Sequence, residues 1–279
     1  MNKKTYVVTG STSGIGEGLT KALSENNIVF AGFRRKECEE ELKEISPNII
    51  PFYIDYADSS SIKPAIDFIK SKTDKIDGLF NVAGCVVAGA MEHISVDELK
   101  HQFDVNVFAA LELSQGLLDL LEDGKIINIS SMSSFGIFPL IAPYCASKRC
   151  MDILFNLMQL EFKRNIKITS VKLGVVATPL WGKSIKENEK VFDKCSEYSK
   201  EMTFMVKNAK QNETKGLSIQ KVVSEIIKID SKSNPKPSYT LGFDAKVSEI
   251  FSHLPLSVIN KIVVNKLKSR CSTMSERKN

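Results

Sequence analysis

The stretch Thr5-Tyr6-Val7-Val8-Thr9-Gly10-Ser11-Thr12-Ser13-Gly14-Ile15-Gly16 decides the fold. Its first five residues are β-branched or aromatic, as in a strand, and the glycine-rich turn after them opens a stretch with helical periodicity. Glycines let a backbone turn tightly and approach a phosphate, and the free N–H groups at a helix start bind anions. The stretch therefore predicts a nucleotide-binding strand-turn-helix unit; the alternative is a plain glycine-rich loop.

The same alternation of strand-like and helical stretches continues along the chain. Strands are expected near residues 4–9, 28–33, 49–54, 77–82, 124–130, 166–172 and 238–242. Helices are expected near residues 14–26, 36–44, 60–72, 95–121, 144–163 and 218–229. Strands joined by crossover helices form parallel sheets. We therefore expect an α/β fold, a single-domain, Rossmann-type, doubly wound parallel sheet of about seven strands with helices on both faces.

Two stretches depart from this alternation. Residues 180–217 are rich in Lys, Glu and Asn and follow the sixth predicted strand, so we expect them to cover the carboxyl edge of the sheet. Residues 251–279 combine an apolar helical stripe with Lys261, Lys266, Lys268 and Arg270. We expect a nucleotide-binding catalytic domain over residues 1–250, and a basic amphipathic helix and tail over residues 251–279.

The composition excludes several classes of protein. The 279 residues are 43% hydrophobic and carry a net charge of +5, a mild excess that does not indicate nucleic-acid binding. The six cysteines form no C-x-x-C pair, and three histidines offer no cluster with metal-ligand spacing. No signal peptide or membrane-spanning run is apparent. We expect a cytoplasmic protein without a metal site.

The spacing G-x-x-x-G-x-G in this turn resembles the short-chain dehydrogenase/reductase family. The resemblance implies a bound nicotinamide dinucleotide and an oxidoreductase acting on CH–OH groups. It assigns the cofactor to the turn residues Gly10, Ser11, Thr12, Ser13, Gly14, Ile15 and Gly16.

The end of the second strand indicates which cofactor is used. An NAD-preferring member of the family carries an acidic residue there, whereas this chain has Phe33 followed by Arg34 and Arg35. A guanidinium pair suits a ribose 2′-phosphate, so we expect NADP(H). The alternative is that both arginines are solvated charges that begin the next helix. The family resemblance also assigns cofactor contacts to Asp55 and Tyr56 after the third strand.

Tyr144 and Lys148 form the pair Y-x-x-x-K, which a helix places one turn apart on one face. A nearby cation would stabilise the tyrosine phenolate, so Tyr144 is expected to act as general acid and base beside Lys148. The family resemblance adds Ser131, thirteen residues upstream, as the hydroxyl that binds the substrate oxygen; Ser130, Ser133 and Ser134 are rivals. It also adds Asn106, which would hold a water against the lysine.

Two further motifs match the family in part. Asn81-Val82-Ala83-Gly84 resembles N-N-A-G, from which Asn81, Ala83 and Gly84 are assigned to the cofactor site, although a bracing role is the simpler interpretation. Leu173-Gly174-Val175-Val176-Ala177-Thr178 resembles P-G-x-x-x-T, with Leu173 in place of proline. The resemblance assigns Gly174, Val176 and Thr178 to the nicotinamide carboxamide, and Tyr144 and Lys148 to the cofactor as well.

The whole pattern looks like the hydroxysteroid and retinol dehydrogenase branch of the family. It predicts interconversion of a secondary alcohol and a ketone on a lipophilic substrate such as a sterol, bile acid or retinoid. The apolar residues expected to line that pocket, or else to pack on the sheet, are Ile137, Phe138, Leu140, Ile141, Leu180, Trp181, Val191, Phe192, Tyr198, Met202, Phe204 and Met205.

Several kinds of partner are compatible with the sequence. The family implies a homodimer or homotetramer through Leu111, Leu113, Leu117 and Leu118 or through Ile153, Leu154 and Leu157, unless these side chains belong to the core. The C-terminal helix is expected to contact a membrane surface, roof the substrate site, or pack on the body or on a second subunit. Two other functions remain: reduction of an acyl group carried on a protein, and a catalytically idle NADP(H)-binding regulator.

Overall fold

The computed structural model describes residues 3–194 and 196–275 of the chain. Over these ranges one parallel sheet has the strand order β3-β2-β1-β4-β5-β6-β7. The strands are β1 Thr5–Val8, β2 Ile28–Phe33, β3 Ile49–Tyr53, β4 Gly78–Asn81, β5 Lys125–Ser131, β6 Lys167–Leu173 and β7 Ser238–Leu241. Every predicted strand is present, and the predicted fold class is confirmed.

Helices cover both faces of the sheet, and those that pack on it present an apolar stripe to it. In the first half of the chain they are α1 Gly14–Ser24, α2 Cys38–Ile45, α3 Ile62–Lys70, α4 Val96–Phe103 and α5 Ala109–Gly116. The second half contains α6 Ala142–Glu161, α7 Leu180–Glu187, α8 Glu189–Lys194, α9 Ser199–Lys215, α10 Ile219–Asp230, α11 Phe243–Phe251 and α12 Leu256–Ser275.

The core has one apolar layer on each side of the sheet. On one side, Ile62, Leu113 and Phe155 of α3, α5 and α6 are fully buried. On the other side, Leu19 and Ile226 of α1 and α10 are fully buried. The two layers are those of a doubly wound sheet.

The expected continuous helix over residues 95–121 is wrong in one respect. Between α4 and α5, Asp104–Phe108 form a π-helical turn, and residues 118–120 form a separate 3-10 turn. A π turn inserts one extra residue into a helix and is frequent at functional sites. Here it buries Asn106 between two apolar neighbours, Val105 and Val107. The helical period of the sequence continues across this turn, so periodicity alone did not reveal it.

The strand order reverses direction between β1 and β4, and this places the carboxyl ends of several strands around one opening. The segment expected to cover that edge forms helices α7 to α9, and α12 lies against α9. The sequence did not separate α11 from the end of the domain. Residues 276–279 of the expected tail lie outside the described residues. In the described ranges, no helix combines the length and hydrophobicity needed to cross a bilayer.

Candidate active site

A cleft of about 310 Å³ opens at the carboxyl ends of the central strands. Its wall is built from the turns after β1 to β6 and from the beginning of α7. Most of the residues singled out in the sequence line this cleft, namely Gly10, Thr12, Ser13, Gly14, Ile15, Arg34, Asp55, Tyr56, Ala83, Gly84, Ser131, Tyr144, Lys148, Gly174, Val176 and Thr178. Residues that are up to 170 positions apart in sequence therefore meet at one site.

The glycine-rich turn has little room for side chains. Gly14 has a φ of +59°, and a Cβ on Gly16 would overlap the carbonyl oxygen of Gly10. Ser11 is buried, and its hydroxyl donates to the carbonyl of Val8. The structure therefore gives Ser11 and Gly16 contacts that shape the turn, while its other residues face the cleft. The first backbone amides of α1 lie in this wall, as an anion site requires.

The two arginines after β2 point to different places. Arg34 lines the cleft. Arg35 lies outside it, where its guanidinium donates to the Cys38 sulfur at 3.4 Å and lies 3.9 Å from the Glu37 carboxylate. The expected guanidinium pair is thus divided because consecutive residues at a strand end project in opposite directions. After β3, Tyr56 is buried and Asp55 is half-buried at the cleft wall.

Tyr144 and Lys148 lie one turn apart on α6, both buried and both facing the cleft. The Lys148 ammonium is 6.0 Å from the centre of the Tyr144 ring and donates to the carbonyl of Ile129 at 2.8 Å. Ser131, at the end of β5, lines the cleft with Tyr144, and its hydroxyl accepts a hydrogen bond from the Ser133 amide at 3.1 Å. Ser130 and Ser133 line the same cleft, so the choice of Ser131 among the serines stays a prediction.

Burial shifts the pKa of both Tyr144 and Lys148. Burial raises the pKa of the Tyr144 phenol to about 12, while the nearby Ser131 side chain acts in the opposite direction. Burial also lowers the pKa of Lys148 to about 8, against the attraction of the Asp152 carboxylate. At neutral pH the phenol is therefore protonated and able to donate, and Lys148 is mostly a cation.

Asn106 lies behind this pair rather than in the cleft wall. Its side-chain amide donates to the Cys85 carbonyl and to the Ser147 hydroxyl, both at 3.1 Å, and its oxygen accepts from the Cys85 amide at 2.9 Å. These bonds fix the loop that follows Gly84. The predicted water-holding role of Asn106 stays a prediction.

Asn81 also lies outside the cleft. It is buried, and its amide donates to Ser114 on α5 and to Asn128 on β5. This arrangement matches a bracing role between the sheet and α5, whereas Ala83 and Gly84, which follow it, reach the cleft.

The loop after β6 is held by a residue that the sequence did not single out. Asp244, at the start of α11, accepts a hydrogen bond from the Val175 amide at 2.7 Å and lies so close to Gly174 that a Cβ there would overlap it. This carboxylate restrains the loop in which Leu173 replaces the family's proline. Thr178 ends the loop beside Gly14.

Helix α7 brings apolar side chains to the cleft. Leu180 and Trp181 line it, and the Trp181 ring lies edge-on to the Tyr144 ring at 6.4 Å. Phe192 and Met205 pack in the same apolar cluster, as does Phe138. Val191 and Met202 instead pack beneath them against Val87, Ala90 and Ile94. Sequence reasoning missed several other cleft residues, among them Cys85, His101, Lys183 and Glu187.

Among the residues that the structure describes, one group of metal-ligand side chains occurs outside the cleft. Glu92, His93 and Glu197 bring one ligand atom each within 4.8 Å of one another, and His93 contacts Glu197 at 2.9 Å. The contact ties the turn before α9 to the turn at residues 91–93. All three side chains are at least partly exposed, and the prediction that the protein lacks a metal site stays a prediction.

Comparison with known protein families gives one clear match. The family model described as short chain dehydrogenase matches residues 4–190, which include β1 to β6 and the whole Tyr144 region. Within these residues lie the glycine-rich turn, both arginines and all four predicted catalytic residues.

Individual relatives are more distant. A protein from Ornithobacterium rhinotracheale named NADPH-dependent 3-dehydrocapnine reductase is 28% identical over 94% of this chain and 96% of its own. A 3-ketodihydrosphingosine reductase from Bacteroides thetaiotaomicron is 26% identical over 84% of this chain and 86% of its own. The crystal structure of a short chain dehydrogenase from Burkholderia cenocepacia J2315 in complex with NADP superposes with a TM-score of 0.73 at 20% identity, covering 94% and 98% of the two chains.

Proposed function

The chain belongs to the short chain dehydrogenase family, and from this premise we propose that it is an NADP(H)-dependent reductase of a lipophilic ketone, with Tyr144 as the proton donor. One observation carries the proposal. A buried phenol, one turn from a buried lysine and beside Ser131, faces the same cleft as a glycine-rich turn. A proton donor and an anion-binding helix start in one cleft suit hydride chemistry on a dinucleotide.

The residues present fit a dinucleotide. The glycine-rich turn offers a cradle that a Cβ on Gly16 would fill, and Arg34 supplies a cation where a 2′-phosphate would lie. Gly174, Val176 and Thr178 would hold the nicotinamide end, beside Tyr144 and Lys148. When bound, the cofactor would supply the hydride. The name of the Ornithobacterium relative, which specifies NADPH, supports the choice of NADP(H).

The side chains divide the proton chemistry between them. Ser131 would hydrogen-bond the substrate oxygen, and Tyr144 would deliver a proton to that oxygen as negative charge develops on it. The pKa of Tyr144, raised by burial, keeps the phenol protonated at neutral pH and so favours reduction. Lys148 is mostly cationic below pH 8 and would stabilise the phenolate that remains. Burial of Tyr144 and Lys148 beside the reacting oxygen would limit competing water.

Two observations support a lipophilic substrate. The wall beside Tyr144 is made by Trp181 and Leu180, and an apolar cluster containing Phe138, Phe192 and Met205 lies behind it. Apolar walls with a few polar groups are typical of sites for lipophilic ligands. Two relatives are named as reductases, one of 3-dehydrocapnine and the other of 3-ketodihydrosphingosine. We therefore propose a lipid ketone as a further substrate class, beside steroids, bile acids and retinoids.

The assembly and location of the protein are also proposals. A homo-oligomer would use the exposed apolar face of α6. The exposed side chains of Val258 and Ile262 on α12, next to Lys261, would suit a membrane surface, whereas the side chains of Lys268 and Arg270 lie outside the described residues. A cytoplasmic location stays a prediction.

The proposal is tested by following NADPH and NADH consumption with long-chain 3-keto lipids, steroid, bile-acid and retinoid ketones and carrier-bound 3-oxoacyl groups. We expect NADPH-dependent turnover of at least one lipophilic ketone by the wild type. Tyr144→Phe should lower kcat by about 100-fold or more, because it removes the proton donor and leaves the ring in place. NADPH binding should stay within a few-fold of wild type.

Tyr239→Phe is the matched control, because this tyrosine lies on β7 outside the cleft lining, and its turnover should equal that of the wild type. Full activity of Tyr144→Phe would remove Tyr144 from the mechanism. NADPH binding without turnover of any ketone would favour a regulator, and activity on carrier-bound acyl groups alone would favour the acyl reductase.

A further inference from the structure

A lysine of the covering segment reaches across the cleft to the glycine-rich turn. Lys183 lies on α7, and its ammonium donates to the Ser13 hydroxyl at 3.1 Å, 170 positions away in sequence. Lys183 also lines the main cleft, on the same wall as Gly14 and Thr178. Among the described residues, no carboxylate lies within ion-pair distance of Lys183. Its charge is therefore directed at the turn without an anionic side chain to neutralise it.

Ser13 occupies a position that normally serves the helix. It is the N-cap residue of α1, with extended backbone angles, yet its side chain makes no capping hydrogen bond. Serine at this position usually accepts a bond from an amide of the first helical turn. Here the Ser13 oxygen accepts a hydrogen bond from Lys183 instead. The side chain therefore makes no hydrogen bond with the first amides of α1. The positive end of the α1 helix dipole and the Lys183 ammonium therefore face the same point of the cleft.

The base of α7 is attached to the rest of the covering segment. The amide of Gly182, next to Lys183, donates to the carboxylate of Glu213 on α9 at 2.8 Å. Pro179, just before α7, lies against the glycine-rich turn near Gly14. A ligand held by Lys183 would therefore be linked through α7 to α9, which is the longest helix of the covering segment.

We propose that Lys183 binds the pyrophosphate of the dinucleotide and that this contact fastens α7 across the cleft. The proposal rests on the proposed function, since it needs a dinucleotide in the cleft. The hydrogen bond with Ser13 places the lysine ammonium beside the start of α1. When a pyrophosphate enters, its oxygens replace the serine as the acceptor and form a charge-assisted hydrogen bond with the ammonium. Lys183 is a binding and positioning residue and takes no part in proton transfer.

The test compares Lys183→Met with Lys186→Met, a lysine on the same helix that does not line the cleft. Dissociation constants are measured by calorimetry for NADP+, NAD+ and ADP-ribose. The part common to all three is the pyrophosphate, the two riboses that it joins, and the adenine. We expect Lys183→Met to weaken all three by a similar factor, about tenfold, as for a lost charge-assisted contact. Lys186→Met should stay within twofold of wild type, and Lys183→Arg should recover most of the affinity.

Hydrogen exchange gives a second measurement that does not depend on turnover. NADP+ should slow amide exchange over residues 180–187 in the wild type and in Lys186→Met, and much less in Lys183→Met at the same saturation. Unchanged affinity of Lys183→Met for all three nucleotides would overturn the proposal, as would a loss confined to NADP+, because the lysine would then contact the 2′-phosphate. Failure of the wild type to bind any dinucleotide would instead refute the proposed function.

Discussion

At the scale of single residues, the choice between the two cofactors depends on Arg34. Its side chain lines the cleft after β2, whereas the adjacent Arg35 contacts Cys38 and Glu37 outside it. We expect Arg34→Ala to weaken NADPH binding by about tenfold or more and to leave NADH binding nearly unchanged, because only NADPH carries the 2′-phosphate. Fluorescence titration of both cofactors measures the effect.

Arg35→Ala is the control within the same dipeptide, and it should leave both affinities close to those of the wild type. An equal loss for NADPH and NADH in Arg34→Ala would contradict the assignment of this guanidinium to the 2′-phosphate. Selective loss in Arg35→Ala would show that the arginine seen outside the cleft turns inward when the nucleotide binds.

Single residues also show which contacts the sequence pattern could predict and which it could not. The spacing of Tyr144, Lys148 and Ser131 predicted that they would meet, because a helical turn and a strand end have fixed geometry. Lys183 could not be found in this way, because its contact with Ser13 depends on how α7 packs across the cleft. The same limit explains Arg35, whose direction follows from the local backbone and not from the sequence pattern.

At the scale of elements, the start of α11 restrains the loop after β6. The Asp244 carboxylate accepts from the Val175 amide at 2.7 Å and lies against Gly174, so it fixes the loop that carries Val176 and Thr178. Removing an ionised acceptor leaves that amide without its partner, at a cost of about 1–3 kcal/mol. For Asp244→Ala we expect a melting temperature lower by a few degrees and weaker binding of the cofactor.

Asp244→Asn keeps an oxygen acceptor and should recover part of both properties, as measured by thermal unfolding and nucleotide titration. If Asp244→Ala bound NADPH and unfolded as the wild type does, the loop would owe its shape to other contacts. The amide of Ala177, which donates to the carbonyl of Leu217, would be the next candidate.

Most elements of the sheet and its flanking helices were predictable from sequence, whereas the π turn, α11 and the helices of the covering segment, α7 to α9, were not. The strands alternate with helices of crossover length, and strands such as β1 and β2 are buried, mostly apolar runs that are easily recognised. The π turn at Asp104–Phe108 keeps the helical pattern of its neighbours, so periodicity merged it with α4 and α5. Helix α11 begins directly after β7 and Gly242, and its short run FDAKVSEIF was not distinguished from the end of the domain.

At the scale of the whole molecule, the outer face of α6 is an exposed apolar surface. Ile153, Leu157 and Leu160 follow one another at helical spacing with exposures of 51%, 46% and 73%. Two of the leucines considered for either an interface or the core, Leu113 and Leu117, are fully buried and belong to the core. A contiguous apolar helix face is typical of an interface between subunits.

We therefore expect a homodimer in solution in which α6 of one subunit packs against α6 of the other. A two-fold interface would bring both copies of each introduced charge into one apolar contact, so the double variant Ile153→Glu, Leu157→Glu should elute as a monomer and melt at a lower temperature. Light scattering during size-exclusion chromatography measures the mass. Leu256→Glu, an equally apolar and exposed site on α12, should remain a dimer and serves as the control. A monomeric wild type would leave the exposed face of α6 without this role, and dissociation by Leu256→Glu alone would move the interface to α12.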